Sequence, residues 1–124
     1  MKKISTNKAP AAIGPYSQAI STGNLLFTSG QIPINPVTGN VDALDIKGQT
    51  EQVMKNLDAV LREGGASFES VVKTTCFLSD IANFAAFNEV YAKYFTENPA
   101  RSCVAVRDLP RGVLVEVEAI AEIK

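Results

Sequence analysis

The 124-residue sequence contains no histidine and no tryptophan, and only two cysteines, Cys76 and Cys103. Without histidine, Ser-His-Asp and Cys-His nucleophile systems, His-ligated zinc and His-ligated haem are all excluded. A general acid or base at neutral pH must then be a carboxylate, lysine, tyrosine, cysteine or water. Two cysteines are too few for a four-thiolate metal site and make no disulfide framework, so no metal is expected and a reducing, cytoplasmic setting is. No apolar run approaches the ~20 residues that span a bilayer. Met1-Lys2-Lys3 begins like a signal n-region, but Ser5 to Gln18 is broken by polar residues and by Pro10 and Pro15, so no export is expected. The net charge of −1 and a pI near 5.4 give no electrostatic footprint for nucleic acid. Neither G-x-G-x-x-G nor a Walker A motif is present.

What is present is the composition of a globular chain: 46% hydrophobic and 20% charged residues, with a mean hydropathy of +0.07. Low-complexity segments, charge blocks and linkers are missing, so residues 1–124 read as one domain. Pro10 and Pro15 stiffen a loop entry over 7–16. Segments 17–21 and 24–32 flank Thr22-Gly23-Asn24, a hairpin signal with Gly23 supplying positive φ. Pro33 to Asn40 is turn chemistry. Ile46, Thr50, Val53, Leu57, Val60 and Leu61 then recur at three- and four-residue steps, predicting an amphipathic helix from about Asp45 to Glu63, stopped by Gly64-Gly65. Residues 69–79 are β-branched and aromatic, as in a strand. A second helix is expected from Ile81 to Thr96, with Phe84, Phe87, Tyr91, Tyr94 and Phe95 on one side and Pro99 ending it.

Two closing strands complete the chain. Over 101–107, Arg101, Cys103, Ala105 and Arg107 alternate with Ser102, Val104 and Val106. Over 113–123, Glu116, Glu118, Ile120 and Glu122 oppose Val113, Val115, Val117, Ala119 and Ala121. The order β-β(-β)-α-β-α-β-β predicts an α+β fold with two helices on one face of a mixed five- to six-stranded sheet. Both strand faces carry apolar residues, and two helices cover only one. An uncovered apolar face predicts a homo-oligomer.

Several residues stand out chemically. Arg101 opens an apolar strand beside the small Ala100, Ser102 and Cys103, where its planar fork would fit a carboxylate or phosphate. An edge arginine reaching solvent, or pairing with a strand glutamate, explains it as well. Glu116 and Glu118 are acids within a strand, a candidate base or merely a solvated face. Cys103 lacks a histidine to activate it and reads as packing, as does Cys76. Ser29-Gly30 marks either close ligand approach or a bulge. Tyr16 follows a Gly-Pro loop, whereas Tyr91 and Tyr94 read as core or rim aromatics. Asn88 sits mid-helix without help from propensity and would cap a loop or point at a ligand. Arg101, Arg107 and Arg111 form a basic cluster too sparse for RNA. The residues alone thus describe a small α+β oligomer with a possible anion pocket.

The runs Ala-Pro-Ala-Ala-Ile-Gly-Pro-Tyr-Ser-Gln-Ala (9–19), Thr-Ser-Gly-Gln-Ile-Pro (28–33), Phe-Asn-Glu-Val-Tyr (87–91), Pro-Ala-Arg-Ser-Cys-Val (99–104) and Val-Glu-Val-Glu-Ala-Ile-Ala (115–121) resemble the RidA/YjgF family of reactive-intermediate deaminases. The resemblance runs through the chain in order. It implies a Bacillus chorismate mutase-like fold, a homotrimer and clefts between subunits. It also implies hydrolysis, without a cofactor, of 2-aminoacrylate/2-iminopropanoate or 2-iminobutanoate to the 2-oxo acid and ammonia. By the same resemblance Arg101 holds the substrate carboxylate, Glu116 positions or activates water, Cys103 binds ligand through its backbone, and Tyr16, Ser29, Gly30 and Asn88 line the cleft. Thr96-Glu97-Asn98-Pro99 is shorter than in some members, which bears on side-chain preference. An endoribonuclease or translation-inhibitor activity, and a non-catalytic carboxylate binder or chaperone-like protein, are the alternatives. The expected partners are small 2-imino and 2-oxo acids, with no membrane and no nucleic acid.

Overall fold

A computed structural model describes residues 1–124. The apolar three- and four-residue rhythm forms helix α1, Ile46–Glu63, with Asp45 as its N-cap: the Asp45 side chain accepts from Gly48 N. Its apolar stripe is buried, with Val53, Met54, Leu57, Val60 and Leu61 fully enclosed. Gly64 closes the helix, and Gly65, at φ +84°, turns the chain away where a side chain would be strained. The second helical segment divides. Ile81–Asn83 is a 3₁₀ turn capped by Asp80, and α2 runs only from Phe84 to Tyr94. The helix therefore stops before Thr96, and the reversal toward Pro99 passes through Asn98 at φ 51°.

The strands are β1 (Lys2–Ile4), β2 (Ala19–Thr22), β3 (Leu25–Thr28), β4 (Val71–Leu78), β5 (Ala100–Ala105) and β6 (Val115–Glu122). They form one mixed six-stranded sheet in the order β1-β2-β3-β6-β4-β5. All neighbours are antiparallel except β4 and β5, which run parallel through the α2 crossover. The β2–β3 hairpin turns at Gly23, φ +57°. The sequence pattern gave no assignment for β1, which adds a short exposed edge. Strands β4, β5 and β6 are each shorter than the expected spans; residues 68–70 form a 3₁₀ turn, and Arg107 lies beyond β5.

Both helices pack on one sheet face, as expected. Leu26, Cys76, Leu78, Val115, Val117, Ala119 and Ala121 point into this layer and are buried. The opposite face has no cover. On it lie Glu116 and Phe77, which are cross-strand partners, and Phe27 opposite Ile120; Phe27 is 40% exposed. Val104 of β5, on the same open face, is 45% exposed. No helix is long and apolar enough to cross a membrane.

Candidate functional site

Strand alternation decides where each candidate side chain goes. In β6, Val115 and Val117 are buried under the helices, so Glu116 between them projects to the open face. Beyond β3 the chain returns to β6 at one isolated bridge, where Gln31 N donates to Val117 O (2.8 Å) and Val117 N to Gln31 O (3.1 Å). This bridge lays Gly30 directly on Glu116. A Cβ at Gly30 would stand 2.8 Å from Glu116 Cδ and 3.0 Å from Cγ, so the carboxylate occupies the space that only glycine leaves.

Ser29 serves the backbone. Its Oγ donates to Ser17 O (2.6 Å) and its N to Gln18 O (2.9 Å), which ties down the loop carrying Tyr16. The buried Gln18 amide fixes the preceding loop, donating to Pro10 O (2.7 Å) and Thr6 O (3.1 Å) and accepting from Thr6 N (2.7 Å). Tyr16, Ser29, Gly30, Ile32, Pro110 and Glu116 thus line a hollow of about 370 Å³. Burial pushes the Glu116 carboxyl above the usual carboxylate range, and the charge of Glu118 on the same strand face adds to it. Glu118 itself is exposed, the solvated member of the pair.

The second hollow, about 300 Å³, lies on the helix side of the sheet, between α2 and the edge strand β5. Arg101 is the cross-strand partner of Thr74, whose side chain faces α2. Its Nη1 donates to Asn88 Oδ1 at 2.7 Å. The guanidinium carbon lies 4.8 Å from the Tyr91 ring centroid and 5.6 Å from that of Phe84. Asn88 therefore points at Arg101, neither capping a loop nor standing free. The ion pairs of the chain are Lys47–Glu89, Arg62–Asp58, Lys93–Glu51 and Arg107–Asp108, so Arg101 has no acidic partner. Neutral groups hold its geometry and leave its charge uncompensated.

Cys103 sits opposite Cys76 on the same face. Burial pushes both thiols up, Cys76 to about 12, and for Cys103 it outweighs the opposing effect of Arg101. Neither is a thiolate at neutral pH, which agrees with a packing role. Because β5 pairs only with β4, one side of its backbone, including that of Cys103, has no strand partner. Of the three arginines read as too sparse for RNA, Arg107 lies 3.8 Å from Asp108 and Arg111 Nη1 donates to Gly39 O (3.0 Å). No group of three acidic or thiol side chains is placed to hold a metal.

The structure thus gathers the candidates into two sets on opposite sheet faces: Tyr16, Ser29, Gly30 and Glu116 in one, Asn88, Arg101 and Cys103 in the other. Sequence reasoning passed over Tyr91, Phe84 and Thr74 around Arg101. A signal existed, since Phe84, Asn88 and Tyr91 lie at steps of four and three on one helix face.

Known proteins are similar to this chain along nearly its whole length. The endoribonuclease L-PSP family description matches residues 6–123. The 2-iminobutanoate/2-iminopropanoate deaminase of Escherichia coli K12 is 48% identical, over 97% of this chain and 96% of its own. A RutC family protein of Pyrococcus abyssi is 56% identical, over 95% of this chain and 94% of its own. The crystal structure of E. coli TdcF with bound serine has the same fold, with a TM-score of 0.94 at 43% identity and all of both chains covered. Both the sequence and the fold matches extend over nearly the whole chain, and the chain belongs to the RidA/YjgF family, the endoribonuclease L-PSP family.

Proposed function

We propose that this protein hydrolyses 2-imino acids and their enamine tautomers to 2-oxo acids and ammonia, at a site built from two copies of the chain in a homotrimer. The observation that carries this reading is the pairing of two incomplete half-sites: a pre-set, charge-uncompensated Arg101 and a desolvated Glu116 seated on Gly30, on opposite sheet faces. One chain cannot apply both to a small substrate. The open sheet face, with Phe27 of β3 and Val104 of the edge strand β5 exposed, supports a neighbouring copy there. The deaminase name of the E. coli relative and the serine bound to TdcF support a small amino-acid-derived ligand.

The chemistry fits these parts. The guanidinium of Arg101 holds the substrate carboxylate by two parallel N–H···O bonds, fixing the orientation of the C=N carbon. Glu116 accepts a proton from water as its oxygen bonds to that carbon, giving a carbinolamine. Glu116 then gives that proton to the amine nitrogen and takes up the hydroxyl proton of the carbinolamine as the C–N bond breaks and the C=O bond forms, releasing ammonia and the 2-oxo acid. A carboxyl raised above the usual carboxylate range by burial is a stronger base than an ordinary glutamate. The iminium is already electrophilic, so positioning and proton transfer are what the protein must supply.

The test generates 2-aminoacrylate with a PLP-dependent dehydratase and follows pyruvate release above the spontaneous rate. Arg101→Ala and Glu116→Ala are each expected to abolish the acceleration. Co-refolded in equal amounts, the two variants should recover about a quarter of wild-type activity, because random mixing restores one intact interface in four. Wild-type turnover by Arg101→Ala, a stable monomer at micromolar concentration, or no complementation would each overturn this reading.

A further inference from the structure

An exposed arginine ordinarily samples many rotamers and loses that freedom when it is ordered. The Arg101 guanidinium is nonetheless engaged by neutral groups alone, Asn88 Oδ1 and the Tyr91 and Phe84 rings, and the contacts continue below it. Tyr91, whose ring lies under the guanidinium, is itself buried. Its ring stacks on Phe95 at 4.5 Å (28° between planes) and meets Phe87 at 5.5 Å. Its hydroxyl pairs with Thr74 Oγ1 at 2.7 Å, in a spot where Thr74 is completely enclosed. Thr74 is the β4 residue directly opposite Arg101. The connection therefore closes on itself: strand register joins Arg101 to Thr74, the hydroxyl pair joins Thr74 to Tyr91, and the ring returns to the guanidinium.

We propose that Tyr91, anchored through its hydroxyl to Thr74, is the positioning residue that pre-sets Arg101 for a planar carboxylate. A ring fixed at both its face and its tip cannot slide, so the cation above it keeps one plane. An acidic partner would have ordered the arginine equally well but would have competed with the incoming anion. An aromatic face and the Asn88 amide oxygen order it and leave its charge free for the ligand. Burial pushes the Tyr91 hydroxyl up, so it stays a neutral hydrogen-bonding group throughout the working range. The inference rests on the reading of Arg101 as the carboxylate holder.

Tyr91→Phe removes the anchor and keeps the ring; Thr74→Val removes the other end. Each is expected to weaken 2-oxobutanoate binding in calorimetry and to raise KM by about two- to fivefold, the range of a partly lost cation–aromatic contact. The kcat value should fall less than about twofold, because Glu116 and its water lie in the other half-site. The double variant should be no worse than either single one, and Thr74→Ser should restore the affinity that Thr74→Val loses. Thermal unfolding of each variant separates folding losses from this effect, since a merely structural role would lower stability without splitting KM from kcat. If Arg101→Ala abolishes 2-oxobutanoate binding while Tyr91→Phe and Thr74→Val bind and turn over like wild type, the positioning role is wrong and the carboxylate assignment stands. If Arg101→Ala binds normally, the carboxylate assignment itself fails.

Discussion

Gly30→Ala is the most discriminating substitution this fold offers. The added methyl would stand 2.8 Å from Glu116 Cδ and 3.0 Å from Cγ, against an ordinary carbon contact of about 3.5–4.0 Å. Glu116 is the flexible partner and lies on the open sheet face, so it is the group that yields, by about 1 Å. A displacement of that size at a reacting group costs on the order of 10²-fold in rate, or about 2.7 kcal/mol of barrier. The fold loses little. Gly30 is not among the glycines with positive φ, so alanine suits the backbone. Its smaller unfolded-state entropy contributes roughly 0.4–1 kcal/mol toward stability. Gly30→Ala should therefore keep its melting temperature within a few degrees of wild type while imine-dependent pyruvate release falls about a hundredfold. A folded Gly30→Ala protein with wild-type turnover would refute the reasoning.

Two further outcomes follow from the packing. Burial and Glu118 raise the folded-state pKa of Glu116, so its contribution to stability is present below the unfolded carboxylate range and lost as pH rises through the raised value. Glu116→Gln should then be more stable than wild type at pH 7 and lose that advantage as pH falls toward 4, while remaining inactive; melting curves across this range check the sign, and a pH-independent difference would contradict it. Asn56 is fully buried, donating to Ile32 O (3.0 Å) and Ile34 O (2.9 Å) and accepting from Gln52 Nε2 (2.9 Å). Asn56→Ala leaves two carbonyls beside the cleft without their donor and should cost about 1–3 kcal/mol, read from urea unfolding at a fixed protein concentration.

The elements that were legible in the sequence are those governed by near neighbours along the chain. The helix from Asp45, the Gly23 hairpin and the alternation of β6 each arise from a short-range period or one backbone requirement. Strand β1 escaped notice because three residues carry no period, and its pairing partner begins at Ala19. The shortening of α2 had no local signal, because Phe95 is helix-compatible in sequence and leaves the helix to pack in the core. Gln18 and Asn56 were equally invisible. A buried amide that holds a remote loop looks, in sequence, like any polar residue.

The site divides along the same line. Residue types alone excluded histidine chemistry and drew attention to Arg101 and Glu116, but left a solvent-facing reading open for each. Only the tertiary structure decided that Glu116 rests on Gly30 and that Arg101 lies on the Tyr91 ring with Asn88 for its partner. It also set the two groups on opposite faces of one sheet. Strand periodicity assigns each residue to a face of its own strand, but which faces coincide depends on inserting β6 between β3 and β4 and laying β5 parallel to β4. Those pairings join residues far apart in the chain, and no short-range pattern encodes them.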